Sequence, residues 1–421
     1  MVIYNCLKLS VYRVLFFGMR VLIIGAGAVG SYLMEMLAKM GVSPDTIDPD
    51  ELTLENAAKN SCLIRTPEDA GRNKAQCASE RVIEFLDEGC TSNGIDANAC
   101  DLGPEAYSDY DVVFVAVDNY DAKVLINEQI RQLPEERRPK VIVSGTYDET
   151  AQSVMLDNTE FCMRCLIDEG WMKDSSVRTS CAGPQIREID GIPEIIRTSN
   201  LASSMAAHLA AEQFRADVIG HRGVVNRRMT YTAYPNPELS VGRPMRKRNC
   251  PGCAVRPPEK IEWLPGTVLT KTLSGLLSEV EKMLGTDDFE VSVHRLNFKK
   301  TVYAGFIEKD VCRCCGKPMK ILKHEGRTYP QDLICGQCRS DHRSIDYEIV
   351  PEQGGVLHAF TRNCSEEVKG MNLYDLGFPL GAHIEVVQRN NALDFLDEGK
   401  IISTVFSCSD DHSQMHTVHK L

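Results

Sequence analysis

The strongest constraint on this chain is a short apolar strand that runs directly into three glycines, Val21-Leu-Ile-Ile-Gly25-Ala26-Gly27-Ala-Val-Gly30, and on into an amphipathic segment, Ser31 to Met40. A Gly-x-Gly-x-x-Gly turn between strand and helix is the dinucleotide-binding fingerprint. Its glycines allow a tight turn and a close approach of backbone to ligand, and the N–H groups at the helix start face phosphate oxygens. An acidic residue at the end of the following strand holds ribose hydroxyls in such sites, and Asp48 stands at about that interval. Many oxidoreductases share these features, so hydride transfer is one reading of this stretch taken alone.

Residues 20–160 alternate strand and helix patterns, with strands expected near Val21–Ile24, Thr46–Asp48, Val112–Val117 and Val141–Ser144. That alternation predicts an α/β fold, a doubly wound Rossmann-like sheet that is mainly parallel. A second sheet is expected to open with Gln152–Leu156. The polar, aperiodic stretch Asp168–Val177 is expected to be a mobile loop at the active site, and a helix rich in small apolar residues to start near Ser199. His208 on that helix reads as a surface or packing residue. Pro257-Pro258 mark a boundary, giving residues 19–257 as the nucleotide domain and 258–421 as an α+β accessory domain with a helix at Leu273–Leu284 and strands around Phe289–Arg295 and Val302–Ile307. Met19 directly precedes Arg20 and the first strand, so residues 1–18 are either an N-terminal extension or an over-long start.

The 421 residues, 43% hydrophobic and 25% charged, are ordinary for a globular chain of two or three domains. A net charge of -12 argues against a nucleic-acid or membrane-surface binder, which needs excess Lys and Arg. No apolar run approaches the roughly 20 residues needed to span a bilayer. Val14-Leu-Phe-Phe17 is too short for a signal-peptide core. A cytoplasmic location is the expectation.

Eight of the seventeen cysteines form four Cys-x-x-Cys pairs: Cys162/Cys165, Cys250/Cys253, Cys312/Cys315 and Cys335/Cys338. Two such pairs supply the four thiolates of a closed tetrahedral Zn²⁺ site. The last two pairs flank about twenty residues and read as a zinc ribbon over 312–338, with Cys314 an alternative to Cys312. A disulfide framework is the competing reading; cysteines left over elsewhere and the lack of a secretion signal argue against it.

In order and at nearly the same spacing, Asp48-x-Asp50, Glu55-Asn56-Ala-Ala-Lys59, Gly71-Arg-Asn-Lys74 and Asp111-Val-Val-Phe-Val-Ala-Val-Asp118-Asn119 resemble the ThiF/MoeB/HesA adenylyltransferases of the ubiquitin-activating-enzyme superfamily. The resemblance runs from about Val21 to about Ala254. It implies an ATP site in which Gly25, Ala26, Gly27 and Gly30 lie against the nucleotide, Asp48 holds the ribose hydroxyls, Asn56 and Lys74 reach the phosphates, Asp50, Lys59 and Asn119 are further nucleotide-site residues, and Asp118 holds Mg²⁺. It also implies that Cys162 and Cys165 share a zinc with Cys250 and Cys253, and that the protein is a homodimer. Thr179-Ser180-Cys181-Ala182 resembles a family segment that can carry a covalent thiol intermediate; a packed thiol is the plain alternative for Cys181. Cys364 and Cys408 are reserve nucleophiles, the latter expected in a mobile polar tail.

The implied activity is ATP-dependent adenylation of the C-terminal carboxylate of a ubiquitin-like or sulfur-carrier protein ending in diglycine, followed by transfer to a cysteine. A conjugating or sulfur-donor protein would be a further partner. Two features depart from the family: Lys59 replaces the usual arginine of Asn-x-x-Arg, losing its bidentate fork, and an N-terminal arginine-bearing helix has almost no room. A peptide-modifying adenylyltransferase and a catalytically inactive zinc-stabilised scaffold are the alternatives.

Overall fold

A computed structural model describes residues 15–16, 18–53, 61, 63–64, 68–99, 102–147, 150–167, 185–189, 192–196, 199–233, 236–293, 305–324, 328, 330–341, 356–388 and 402–408. The chain divides into two compact units, residues 1–99, 107–257 and 416–421 in one and 100–106 and 258–415 in the other.

The first unit is built on an eight-stranded sheet. Its members are β1 (Val21–Ile24), β2 (Pro44–Ile47), β3 (Gly94–Ile95), β4 (Val112–Val115), β5 (Lys140–Tyr147), β6 (Thr150–Leu156), β9 (Arg228–Thr232) and β10 (Glu238–Gly242), in the order β10-β9-β6-β5-β4-β1-β2-β3. The five strands from β5 to β3 are parallel, and β6, β9 and β10 add antiparallel. Central strands β1 and β4 are apolar and buried at every position, as a parallel sheet covered on both faces requires. Gln152–Leu156 does not open a second sheet: it lies in β6, which turns back on β5 as a hairpin and extends the main one. The further sheet of this unit is the antiparallel pair β7 (Gln185–Ile189) and β8 (Ile192–Ile196).

Helix α1 (Ala28–Lys39) buries Val29, Leu33, Met34, Leu37 and Ala38 along one stripe, the spacing of an amphipathic helix. Helix α2 (Lys74–Val82) is capped by Asn73, whose side chain accepts the Gln76 N–H. Helix α3 (Tyr120–Arg131) follows β4, and α4 (Asn200–Val218) starts at Ser199, which caps the Ala202 N–H. Phe214 of α4 meets Phe114 of β4 edge-on at 5.7 Å and Phe16 at 5.3 Å, so one core cluster joins α1, α4 and the sheet. Because the chain passes from β1 to β2 on one side and returns to β4 on the other, β1 and β4 flank the switch point. Ligands enter such sheets at the carboxyl ends of those strands.

The long connection from β2 to α2 is clamped from within. Asp69, almost wholly buried, accepts both Arg81 guanidinium arms, one at 2.7 Å, while Arg81 also donates to the Leu63 carbonyl at 2.9 Å. Leu52 and Arg72 are tied backbone to backbone, as are Lys74 and Asp50.

The second unit holds a four-stranded sheet, β11 (Ile261–Leu264), β17 (Ile402–Cys408), β16 (His383–Gln388) and β12 (Phe289–Val293), in that order. Helix α5 (Leu273–Leu284) belongs to it, capped by Thr272 and ended by Gly285 at φ +69°. A three-stranded sheet comprises β14 (Pro318–His324), β13 (Phe306–Val311) and β15 (Val356–Leu357); the third cysteine pair lies in the turn between β13 and β14, and the fourth at the short helix Gly336–Ser340 that comes after β14 in the chain. Residues 100–106 are built into this unit: the Gly103 N–H donates to the Leu380 carbonyl at 2.6 Å, and buried Glu105 meets buried His383 at 3.0 Å. Cys408 is not in a mobile tail. It ends β17, opposite Leu264, and is fully buried.

Asp69→Ala would leave the Arg81 guanidinium without its buried partner. The expected loss is roughly 3 kcal/mol of unfolding free energy, read from urea denaturation; an unchanged midpoint would show that the clamp does not hold the β2–α2 connection.

Candidate functional site

The glycine turn meets strict steric demands. Gly25 sits at φ +98°, and a Cβ there would lie 3.0 Å from the Ala116 carbonyl at the end of β4. A Cβ on Gly30 would fall 1.8 Å from the Gly25 oxygen, so α1 can start this close to the turn only without a side chain. Gly27 differs: a Cβ there would meet nothing within 4 Å, and as the N-cap of α1 it supplies no capping side chain. The first N–H groups of α1 lack partners within the helix, and they point where an anion would be welcome.

Asp48 organises this turn. Its carboxylate is buried and accepts the Ala26 N–H at 2.7 Å and the Asp50 N–H at 2.9 Å. Two oxygens with about four acceptor positions leave room for ribose hydroxyls beside these bonds. Burial pushes the Asp48 carboxyl up to about 6; Lys74 and the two N–H donors pull it down, and the charge of Asp50 adds to the rise.

Lys74 begins α2 with its stem buried, and its ammonium meets Asp50 at 2.8 Å. Asn73 holds the same corner by donating to the Asp48 carbonyl at 2.7 Å. Asp118 and Asn119 follow β4 at its carboxyl end and are exposed. Asn119 also starts α3, its side chain accepting the Ala122 N–H at 3.3 Å. The Ala116 N–H donates to Ile24 O at 2.8 Å, so the run leading to Asp118 lies against the glycine turn. The structure thus brings together Gly25, Ala26, Gly27, Gly30, Asp48, Asp50 and Lys74, with Asp118 and Asn119 directly after the adjoining run.

Asn56, Lys59 and Cys181 lie outside the described residues, as does Asp168–Val177. Ser61, after the first of these segments, donates its N–H to Ser31 Oγ at 3.0 Å, one residue beyond Gly30. Lys123 was not singled out from sequence. It is buried in the first turn of α3, its ammonium 5.1 Å from the Tyr120 ring centroid. Its four-residue offset from Asn119, one helical turn, is the signal that could have raised it.

Two thiol tetrads lie apart from this crevice in chemistry and role. Cys162, Cys165, Cys250 and Cys253 are all buried, with Sγ–Sγ separations of 3.6 Å for Cys162 and Cys250, 3.4 Å for Cys165 and Cys253 and 3.5 Å for Cys162 and Cys253. Tetrahedral Zn–S bonds of ~2.3 Å put the sulfurs about 3.8 Å apart, so the four fit a zinc ion. Burial and then the three neighbouring thiols push the Cys162 thiol up; a bound dication is what allows such a set to ionise together. Gly252 is obligatory in the second knuckle, since a Cβ would lie 2.7 Å from Cys162 Sγ. Buried Arg131 of α3 donates to the Gly252 carbonyl at 3.1 Å, which ties the knuckle to the helix that follows Asp118.

Cys312, Cys315, Cys335 and Cys338 form the second tetrad. Despite its burial, backbone N–H groups led by Cys335 at 3.2 Å bring the Cys312 thiol down to about 6. Cys314 lies outside this set and sends its N–H to Cys312 Sγ at 3.5 Å. A zinc ion held by either tetrad would have all four positions filled by thiolates and none open.

A mixed sheet with a nucleotide-type glycine turn at its switch point and a four-cysteine knuckle defines an α/β nucleotide-binding class. Within that class, the ThiF family profile matches residues 14–298, and the chain belongs to the ThiF family. Among curated proteins, it is 27% identical over 149 residues to SUMO-activating enzyme subunit 2 of Dictyostelium discoideum, covering 35% of this chain and 22% of that one. It is 36% identical over 107 residues to tRNA threonylcarbamoyladenosine dehydratase of Haemophilus influenzae, covering 24% and 39%. It is 30% identical over 114 residues to the NEDD8-activating enzyme E1 catalytic subunit of Arabidopsis thaliana, covering 26% and 23%. The alignments thus span well under half the length of these relatives. Among solved structures, E. coli MccB with ATP aligns at TM-score 0.45 and 18% identity, over 58% of this chain and 68% of that one.

Two outcomes follow. The raised Asp48 carboxyl means that between its ordinary value and about 6 the folded state holds the proton that the unfolded state releases, so its contribution to stability falls as pH rises and the full cost stands above about 6. Protonation also removes the acceptor that ribose needs. Nucleotide affinity, followed by calorimetry, should therefore weaken below about pH 6, and Asp48→Asn should bind weakly without that step; identical profiles would remove Asp48 from the ribose site. Elemental analysis should find two zinc ions per chain, and Cys253→Ser should retain one. Retention of two would assign the first tetrad no metal.

Proposed function

We propose that this protein uses ATP to activate a carboxylate, adenylating the diglycine C-terminus of a ubiquitin-like or sulfur-carrier protein and then passing the acyl group to a cysteine. The observation that carries the reading is the assembly at the switch point: the glycine turn at β1, the buried Asp48 at β2 and the Lys74–Asp50 pair beside it, with Asp118 after β4. Family membership supports ATP use. Two relatives are, by name, activating enzymes for SUMO and NEDD8, which supports a ubiquitin-like substrate. The dehydratase relative is named for a tRNA nucleoside, but the net charge of -12 gives no excess of Lys and Arg for that partner.

In this mechanism Asp48 accepts from the ribose hydroxyls while its bond to the Ala26 N–H keeps the glycine turn open to the phosphates. The α1 N-terminus takes phosphate oxygens. A carboxylate oxygen of the substrate attacks the α-phosphorus, the bond to the bridging oxygen breaks, and pyrophosphate leaves; no proton changes hands. Lys74 exchanges Asp50 for the departing phosphates, where Asn56 and Lys59 also act. Mg²⁺ held by Asp118 would neutralise phosphate charge. Cys181 then attacks the acyl carbon as thiolate and AMP leaves, giving a thioester; where a persulfide of the sulfur-donor protein has first passed its outer, sulfane sulfur to Cys181, the Cys181 persulfide attacks instead, AMP leaves and an acyl disulfide forms. The protein would act as a homodimer, and a conjugating protein would receive the acyl product or a sulfur-donor protein would supply its sulfur.

The test is ATP–pyrophosphate exchange with diglycine-ended carriers and short peptides. One carrier should support exchange, and Asp118→Ala should lower it about a hundredfold with zinc content unchanged. Cys181→Ala should keep exchange and lose the thiol-linked carrier. Exchange driven by peptides alone would move the protein to peptide modification, and no exchange with any substrate would contradict the proposal.

A further inference from the structure

We propose that the last turn of α3, through Asn127 and Arg131, positions the two knuckles of the first tetrad and thereby sets how tightly it holds zinc, an inference that rests on the zinc reading of that tetrad. Cys162 and Cys250 are 88 residues apart, so the four sulfurs meet only when two separate chain segments are brought together. One face of α3 touches both segments. Asn127, a helical turn before Arg131, accepts the Met163 N–H of the first knuckle at 2.9 Å and donates to Asn158 Oδ1 at 2.6 Å. Its neighbour Glu128 accepts from Arg164 of the same knuckle at 2.5 Å. Arg131 serves the other knuckle: Nε donates to the Gly252 carbonyl at 3.1 Å and Nη2 to the Cys253 carbonyl at 3.5 Å, while Nη1 donates to the Asn158 carbonyl.

These bonds end on backbone groups inside the ligand loops. Met163 and Gly252 lie between the cysteines of their pairs, so the bonds fix where the sulfurs stand as well as where the helix packs. The knuckles are in close contact, since a Cβ on Gly252 would lie 2.7 Å from Cys162 Sγ and 2.9 Å from Glu128 Oε1. Asn158 joins the two halves: it stands at φ +63°, is fully buried, and donates to the Pro139 carbonyl at 3.2 Å while taking bonds from both Asn127 and Arg131. Arg131 itself is 4% exposed. A planar guanidinium can span three carbonyls from two segments, which an ammonium cannot do in the same geometry. Four thiolates around Zn²⁺ carry a net negative charge, and a buried cation bonded to the carbonyl of a ligand residue offsets part of it. Groups of this kind, outside the ligands themselves, orient the ligands and raise metal affinity.

The experiment measures zinc affinity by competition with a chelator, with Cys253→Ser marking the zinc that the ribbon alone retains. Arg131→Met and Asn127→Ala should each weaken zinc at the first tetrad ~10- to 100-fold. Zinc at the ribbon, which belongs to the other compact unit, should stay within twofold. Arg131→Lys should fall between wild type and Arg131→Met. In both variants the gap between the unfolding temperatures of zinc-loaded and zinc-free protein should narrow; a role in packing alone would lower both temperatures together and leave the affinity intact. If Arg131→Met does not fold, Asn127→Ala and Arg131→Lys carry the same test. Unchanged affinity at the first tetrad in the folded variants overturns the proposal, as does a loss shared equally by the ribbon. A Cys253→Ser protein that keeps both ions removes the zinc reading of the tetrad, and this inference with it, a result distinct from either.

Discussion

The crevice depends on one buried carboxylate. Asp48 directly follows β2, and its two oxygens reach both sides of the nucleotide crevice: the Ala26 N–H inside the glycine turn and the Asp50 N–H on the way to Lys74. Together with the Gly25 N–H bonded to the Ile47 carbonyl at 2.8 Å and the Ser61 N–H bonded to Ser31 Oγ at 3.0 Å, those bonds fix the glycine turn relative to the β2–α2 connection. The cost is visible in the carboxyl's upward shift, which burial causes. A nucleotide site that must be open before ligand arrives carries such a cost as preorganisation: acceptor and turn are set in advance and need no rearrangement on binding.

The four-cysteine knuckle plays the complementary part at the opposite end of the same crossover. Cys162 and Cys165 close the chain after β6, Cys250 and Cys253 arrive some ninety residues later, and Arg131 of α3 bonds to the Gly252 carbonyl between the latter pair. Helix α3 is therefore held at its end by the knuckle and at its start by Asn119. Its first turn carries Lys123 and is preceded by Asp118. A thiol tetrad far from the glycine turn in sequence is thereby tied to the helix that follows Asp118.

What could be read from sequence was local. The glycine turn, β1, the helix Leu273–Leu284 and the cysteine pairs each declare themselves within a few residues, because spacing alone constrains them. The partition of strands was harder. Gln152–Leu156 has the pattern of a strand, but whether it opens a new sheet depends on its pairing with β5, which no local signal states. Cys408 sits in a polar run that reads as a tail, and only its place opposite Leu264 in a distant strand makes it core. Residues 100–106 join the second unit through contacts with Leu380 and His383, nearly three hundred residues on. Lys123 lies on a helix, where a lysine is usually solvated, and its burial beside β5 is not visible in any helical period.

Attack of the substrate carboxylate on the α-phosphorus is the step on which the proposed reaction turns. The direct measurement is to label the substrate's C-terminal carboxylate with heavy oxygen, run one turnover with ATP and an excess of a simple thiol acceptor, and weigh the nucleotide released. The account requires AMP carrying one heavy oxygen, since the attacking atom stays on phosphorus when the acyl group departs. Release of ADP, with the label in inorganic phosphate, would place the attack on the γ-phosphate and contradict it.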